Sequence, residues 1–107
     1  MAQLNANLKR DASNVTGDIY DYANITSQTT TLVKTGGGLL HSITFNKPTA
    51  TGTVKIDDAL TDTTPVMGTI TVPASPQPFT VFYDIIFQVG LTIVTGTATQ
   101  DITIAYL

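Results

Sequence analysis

The 107-residue chain has no cysteine, no glutamate and no tryptophan, and only one histidine, His41. Without cysteine there is no disulfide staple, no thiolate metal ligand and no cysteine nucleophile. Without glutamate every side-chain carboxylate is one of eight aspartates, and a strong helix former is missing. Positive charge is equally sparse. Lys9, Arg10, Lys34, Lys47 and Lys55 are the whole basic set, and no lysine or arginine follows Lys55. A net charge of −3 and a pI near 4.5 argue against nucleic-acid binding, which requires a concentrated positive surface. No apolar run approaches the ~18 residues of a membrane span. The opening MAQLNANLKR lacks the apolar core of a secretory signal, so synthesis and initial folding are expected in the cytoplasm. The sequons at Asn14-Val15-Thr16 and Asn24-Ile25-Thr26 are accordingly read as chance matches.

What is present is β-forming chemistry. Threonine makes up about a fifth of the chain, with valine and isoleucine frequent beside it. These β-branched residues fit a pleated, half-buried surface and lose rotamer freedom in a helix. The one helical candidate is residues 2–12, where Leu4 and Leu8 are four apart, and Asn5 and Asn7 weaken it. Period-2 alternation is clear over residues 39–46, 53–57, 66–72 and 101–107. It places His41, Ile43 and Phe45 on one face of the first, Val54 and Ile56 on one face of the second, Val66, Ile70 and Val72 on the third, and Ile102, Ile104 and Tyr106 on the fourth. Two earlier strands are expected near 19–24 and 28–34. Turn chemistry separates the strands: Asn46-Lys47-Pro48, Thr51-Gly52, the polar stretch 57–65, PASPQP over 73–78, Gly90 and Gly96. Seven or eight short strands at this spacing predict an all-β, two-sheet antiparallel sandwich, jelly-roll or immunoglobulin-like. Gly36-Gly37-Gly38 reads as a hinge or turn, because neither the Lys-Ser/Thr of a phosphate loop nor a helix follows it. It divides an N-terminal arm (1–35, partly extended and including the early strands) from the sandwich domain (36–107).

The stretch FTVFYDIIF over 79–87 does not alternate cleanly. Phe79, Val81, Tyr83, Ile85 and Phe87 share one face, yet the other carries Phe82 and Ile86 beside Thr80 and Asp84. An ordinary outward face is polar throughout. Leu91 and Ile93 oppose Thr92 and Val94 in the next strand. Phe82, Ile86, Leu91 and Ile93 are therefore the candidate interface residues, covered either by the arm or by another subunit. A domain this small buries only part of its own surface, which favours the subunit.

Catalytic chemistry is thinly represented. His41 would need an orienting carboxylate and a nucleophile, and no spacing selects them. One histidine without cysteine does not make a zinc site in one chain. Asp57, Asp58 and Asp62 form the only acidic cluster. They lack EF-hand spacing and read as loop residues, with Ca²⁺ ligation as the alternative. Tyr20, Tyr22, Tyr83 and Tyr106 are candidates for stacking on sugars or for burial in the sandwich. No enzyme activity and no cofactor are expected.

Six segments carry a family resemblance: GLLHSITFN at 38–46, GTVKID at 52–57, GTITVP at 68–73, YDIIF at 83–87, GLTIVT at 90–95 and DITIAY at 101–106. In this order they resemble small β-sandwich virion structural proteins of tailed bacteriophages, of the head-decoration or fibre type. The resemblance covers about two-thirds of the chain and leaves out residues 1–37. It implies a viral structural protein located in the virion, made in the host cytoplasm, commonly trimeric and without catalytic residues. Its partners would be further copies of itself and the major capsid protein or another virion protein, with the arm crossing to a neighbouring subunit or to the capsid. The alternative within the resemblance is a tail-fibre or spike module that binds host surface glycans.

Overall fold

The computed structural model of the chain describes residues 19–107, and they form eight strands. These are β1 (Asp21–Ile25), β2 (Thr30–Thr35), β3 (Gly38–Lys47), β4 (Thr53–Asp57), β5 (Val66–Thr71), β6 (Phe79–Phe87), β7 (Gly90–Gly96) and β8 (Asp101–Tyr106). They build two antiparallel sheets, ordered β1-β8-β3-β6 (sheet A) and β2-β7-β4-β5 (sheet B). β1 pairs with β8, β2 with β7, β3 with β6 and β4 with β5. This nested pairing is one long hairpin wound into two layers, the jelly-roll arrangement of an eight-stranded sandwich. Of the two topologies the strand pattern allowed, the chain adopts this one.

Between the sheets lie Leu40, Ile43, Phe45, Val54, Ile56, Phe87, Leu91, Ile93, Ile102 and Ile104, all buried. Each contributes about 1.5–3 kcal/mol by leaving water. The rings of Phe45 and Phe79 stack 4.4 Å apart at the β6 side of this core. The alternation expected for β4 and β8 places Val54, Ile56, Ile102 and Ile104 inward, as found.

Three expectations need correction. The glycine triplet is no boundary between an arm and a body. Gly36 and Gly37 form the turn that carries the chain from sheet B to sheet A, and β1 and β2 are edge strands of the two sheets. Gly36 has φ of 90°, which glycine adopts at little steric cost, and its N–H donates to Val89 O. Residues 1–18 of the expected arm, with the helical candidate at 2–12, lie outside the described residues. Second, Val66 faces outward and Met67 packs on the core, because the β4–β5 register shifts between Ile56 and Asp57 and reverses the faces there. Third, His41 leaves the face of Ile43 and Phe45, for a related reason given below.

The outer face of sheet B is covered in part, around Asp57 and Thr92, while Leu32 and Val66 stay exposed. The β4–β5 loop folds back over it: Thr92 Oγ1, fully buried, donates to Ala59 O at 2.7 Å. Lys55 Nζ bonds Asp62 Oδ1 at 2.5 Å and lies 3.6 Å from the buried carboxylate of Asp57. Asp58 accepts from the backbone N–H groups of Gln88, Val89 and Gly90, tying the loop to the β6–β7 turn. Those bonds hold the Asp58 carboxyl below its ordinary value of 3.8.

Two tests follow from this frame. A Cβ on Gly38 would collide with Leu107 O and sit 2.7 Å from the Phe87 ring. Gly38→Ala is expected to lower unfolding stability by about 1–3 kcal/mol in urea titration, as overpacking does. The Asp58 contribution is fully present above the unfolded carboxylate value and is lost as pH falls through the lower folded value. Asp58→Asn should therefore lose stability at neutral pH and show a shallower decline than wild type in thermal melts below about pH 4.

Candidate interaction surface

Sheet A has the opposite character on its outer face. Cross-strand register sets its rows. One row is Asn24, Thr103, Thr44 and Thr80, from β1, β8, β3 and β6. Its polar groups satisfy each other: Thr44 and Thr80 hydroxyls are 3.0 Å apart, Asn46 Nδ2 donates to Thr103 Oγ1 and Asp101 Oδ1, and Asn24 Nδ2 donates to Asp101 Oδ1. The next row is Tyr22, Ala105, Ser42 and Phe82. Two exposed rings thus flank two small residues.

Beyond that row both strands depart from regular pairing. Leu40 pairs with Ile85 and Ser42 with Phe82, so His41 on β3 meets Tyr83 and Asp84 on β6 across a register shift. Asp84 takes φ of 51°, a left-handed conformation that aspartate tolerates better than most residues. The shift turns His41 to the outer face. Its Nδ1 lies 2.5 Å from Asp84 Oδ1, its ring stacks on Tyr20 at 4.1 Å, and Phe82 meets it edge-on at 5.6 Å. Strict alternation in β3 misses this cluster. The sign that pointed to it was the apolar second face of FTVFYDIIF.

Tyr22, Phe82 and Ile86 are 71%, 67% and 68% exposed. At ~150–250 Å² per aromatic side chain, the three leave roughly 400 Å² of largely apolar surface in water. That is as large as the biggest patch on a typical monomer and about half of one partner's share of a standard interface. Ile85 and Val89 continue it around the β6 edge, where the ladder has no further strand among the described residues.

The four expected interface residues divide evenly. Phe82 and Ile86 lie on this surface. Leu91 and Ile93 do not: both are fully buried between the sheets, because β7 is an interior strand of sheet B and Thr92 takes its outward position. Of the tyrosines, Tyr20 and Tyr22 reach the outer face. Tyr83 and Tyr106 pack against the core, and burial pushes the Tyr83 phenol up. Asp57, Asp58 and Asp62 serve the sheet B roof. Asp57 is buried without a hydrogen-bond partner, and among the described residues no group of three or more histidines or acidic residues is placed to hold a metal. The His41–Asp84 contact has the geometry that orients an imidazole, but no hydroxyl nucleophile bonds His41 among the described residues. A groove of about 390 Å³ opens at the other end of the sandwich, lined by Thr26, Lys47, Thr49, Thr99, Gln100 and Asp101.

No protein-family model, no curated protein and no solved structure matches the chain.

Asp84 offers a direct probe of how the surface is built. Asp84→Ala should cost about 1–2 kcal/mol in urea titration, since it loses the His41 contact and keeps a left-handed backbone. Asp84→Gly should cost less, because glycine removes the backbone penalty. Equal losses in the two variants would show that the left-handed turn carries no strain.

Proposed function

We propose that this chain is a non-enzymatic structural protein of a tailed-bacteriophage virion, a capsid decoration protein that binds the assembled head as a homotrimer and stabilises it. The observation that carries the reading is the uncovered apolar half of the sheet A outer face, centred on Phe82, Ile86 and Tyr22. Jelly rolls recur in viral capsid proteins, and the six strand segments resemble virion proteins of this kind. Fold alone does not assign function, so the weight rests on the surface.

The energetics suit an assembly surface. Covering roughly 400 Å² gives about 10 kcal/mol of gross hydrophobic stabilisation. Association itself costs an estimated 4–15 kcal/mol in lost freedom. The patch by itself therefore sits near balance, and a stable complex needs added contacts from a neighbour or from the shell. A protein that binds only the assembled shell stabilises that shell by mass action. The glycan-binding fibre module remains the second reading, favoured by the exposed Tyr20 and Tyr22 rings and by the groove lined by Lys47, Gln100 and Asp101.

Light scattering coupled to size exclusion tests the assembly claim. At micromolar concentration the expected species has three times the 11.3 kDa chain mass. Phe82→Asp combined with Ile86→Asp should leave the far-ultraviolet dichroism unchanged and yield single chains. A wild-type chain that stays at 11.3 kDa contradicts the reading. Labelled protein should coat phage heads, and labelling confined to tails would favour the fibre module.

A further inference from the structure

The apolar half of the sheet A outer face is not wholly apolar. The single histidine of the chain stands in it, against a carboxylate. His41 Nδ1 and Asp84 Oδ1 are 2.5 Å apart. Tyr20 stacks on the imidazole, and Phe82 meets it edge-on. The Asp84 side chain is 58% exposed and that of His41 25%. In the single chain, water therefore reaches the pair in either protonation state. Asp84 lies between Phe82 and Ile86 in β6, so whatever seals those two side chains also takes its carboxylate out of water.

That covering changes the charge the pair can carry. With a neutral imidazole and an ionised carboxylate the pair is anionic, and burying an uncompensated charge is strongly unfavourable. One added proton makes the pair neutral overall, whether it rests on the imidazole or is shared across the short contact. Cations that could serve instead are few: the described residues hold only Lys34, Lys47 and Lys55. Lys55 is held by Asp62 on sheet B, Lys47 lines the groove at the other end, and Lys34 sits in the β2–β3 corner. The other titratable groups around the imidazole are Tyr20 before β1, Tyr83 on β6 and Tyr106 on β8, whose register neighbour on β1 is Asp21. Phenols and carboxylates ordinarily titrate well outside the range from about pH 6 to about pH 8, and an imidazole ordinarily titrates within it.

We propose that covering this patch with a second copy takes up one proton at the His41–Asp84 pair, so that assembly tightens in mild acid and loosens as pH rises through the imidazole range. This rests on the assembly reading and adds its regulation. The covered pair holds the proton more firmly than the open pair does. Its contribution to assembly is therefore fully present below the ordinary imidazole value and is lost as pH climbs above it.

Sedimentation across a dilution series, at fixed ionic strength and at about pH 6 and about pH 8, reads the midpoint concentration of dissociation. For the unaltered chain that midpoint should rise by about tenfold or more between the two conditions. Asp84→Asn removes the carboxylate and keeps a residue that tolerates the left-handed backbone. Its midpoint should be the same in both conditions, and at the higher pH it should lie below that of the unaltered chain. His41→Gln leaves Asp84 without its titrating partner and should dissociate at a high midpoint in both. An assembly of the unaltered chain with equal midpoints, or Asp84→Asn retaining the pH dependence, overturns the proton uptake and leaves the assembly reading standing. An unaltered chain that stays single in both conditions removes the assembly reading, and the proton uptake with it.

Discussion

Each sheet of a sandwich has two faces, and packing the sheets together covers only one of each. Everything distinctive about this molecule follows from how the other two are treated. On sheet B the β4–β5 loop covers the part of the face around Asp57 and Thr92, held by Thr92 on Ala59, Lys55 on Asp62 and Asp58 on the β6–β7 turn. On sheet A no described loop does the same. Half of that face is a self-satisfied lattice of threonine, asparagine and aspartate. The other half presents tyrosine, phenylalanine and isoleucine to water. A chain with so few charges has little else to keep such a surface soluble.

The apolar half is shaped by the irregular register between β3 and β6. Without the shift, His41 would sit between the sheets beside Ile43 and Phe45, where an imidazole needs a buried partner. With it, His41 stands on the outside between Tyr20 and Phe82, and Asp84 adopts the backbone turn that lets its carboxylate reach the ring. The bulge also alters an exposed edge strand, a position where regular pairing invites indiscriminate addition of further strands. β6 thus combines an exposed apolar surface with an edge whose irregularity discourages the addition of further strands.

Much of this could be read from the residues alone, for identifiable reasons. Alternation of aliphatic and polar residues in β4 and β8 marks the inward faces because β4 pairs with β7, and β8 with β1, in regular register. The doubled apolar character of FTVFYDIIF marks Phe82 and Ile86, since side chains of an outward face have no reason to be large and apolar. Leu91 and Ile93 look similar in sequence, but nothing in a local pattern tells that β7 is flanked on both sides and roofed above. Residues whose faces depend on a bulge, His41 and Val66, defeat a period-2 reading by construction. The burial of Asp57 likewise depends on a loop that folds back from beyond the strand, and the jelly-roll order depends on pairings as distant as β1 with β8.

The molecule's own β4–β5 loop covers part of the outer face of sheet B, and the apolar half of the sheet A outer face is exposed in the single chain. The most direct measurement is hydroxyl-radical footprinting of Tyr22, Phe82 and Ile86, compared between the assembled protein and a dilution at which it dissociates. Strong protection of all three on assembly, with Leu32 on the sheet B side unchanged, is the predicted result. Equal labelling of Phe82 and Ile86 in both states would contradict the account.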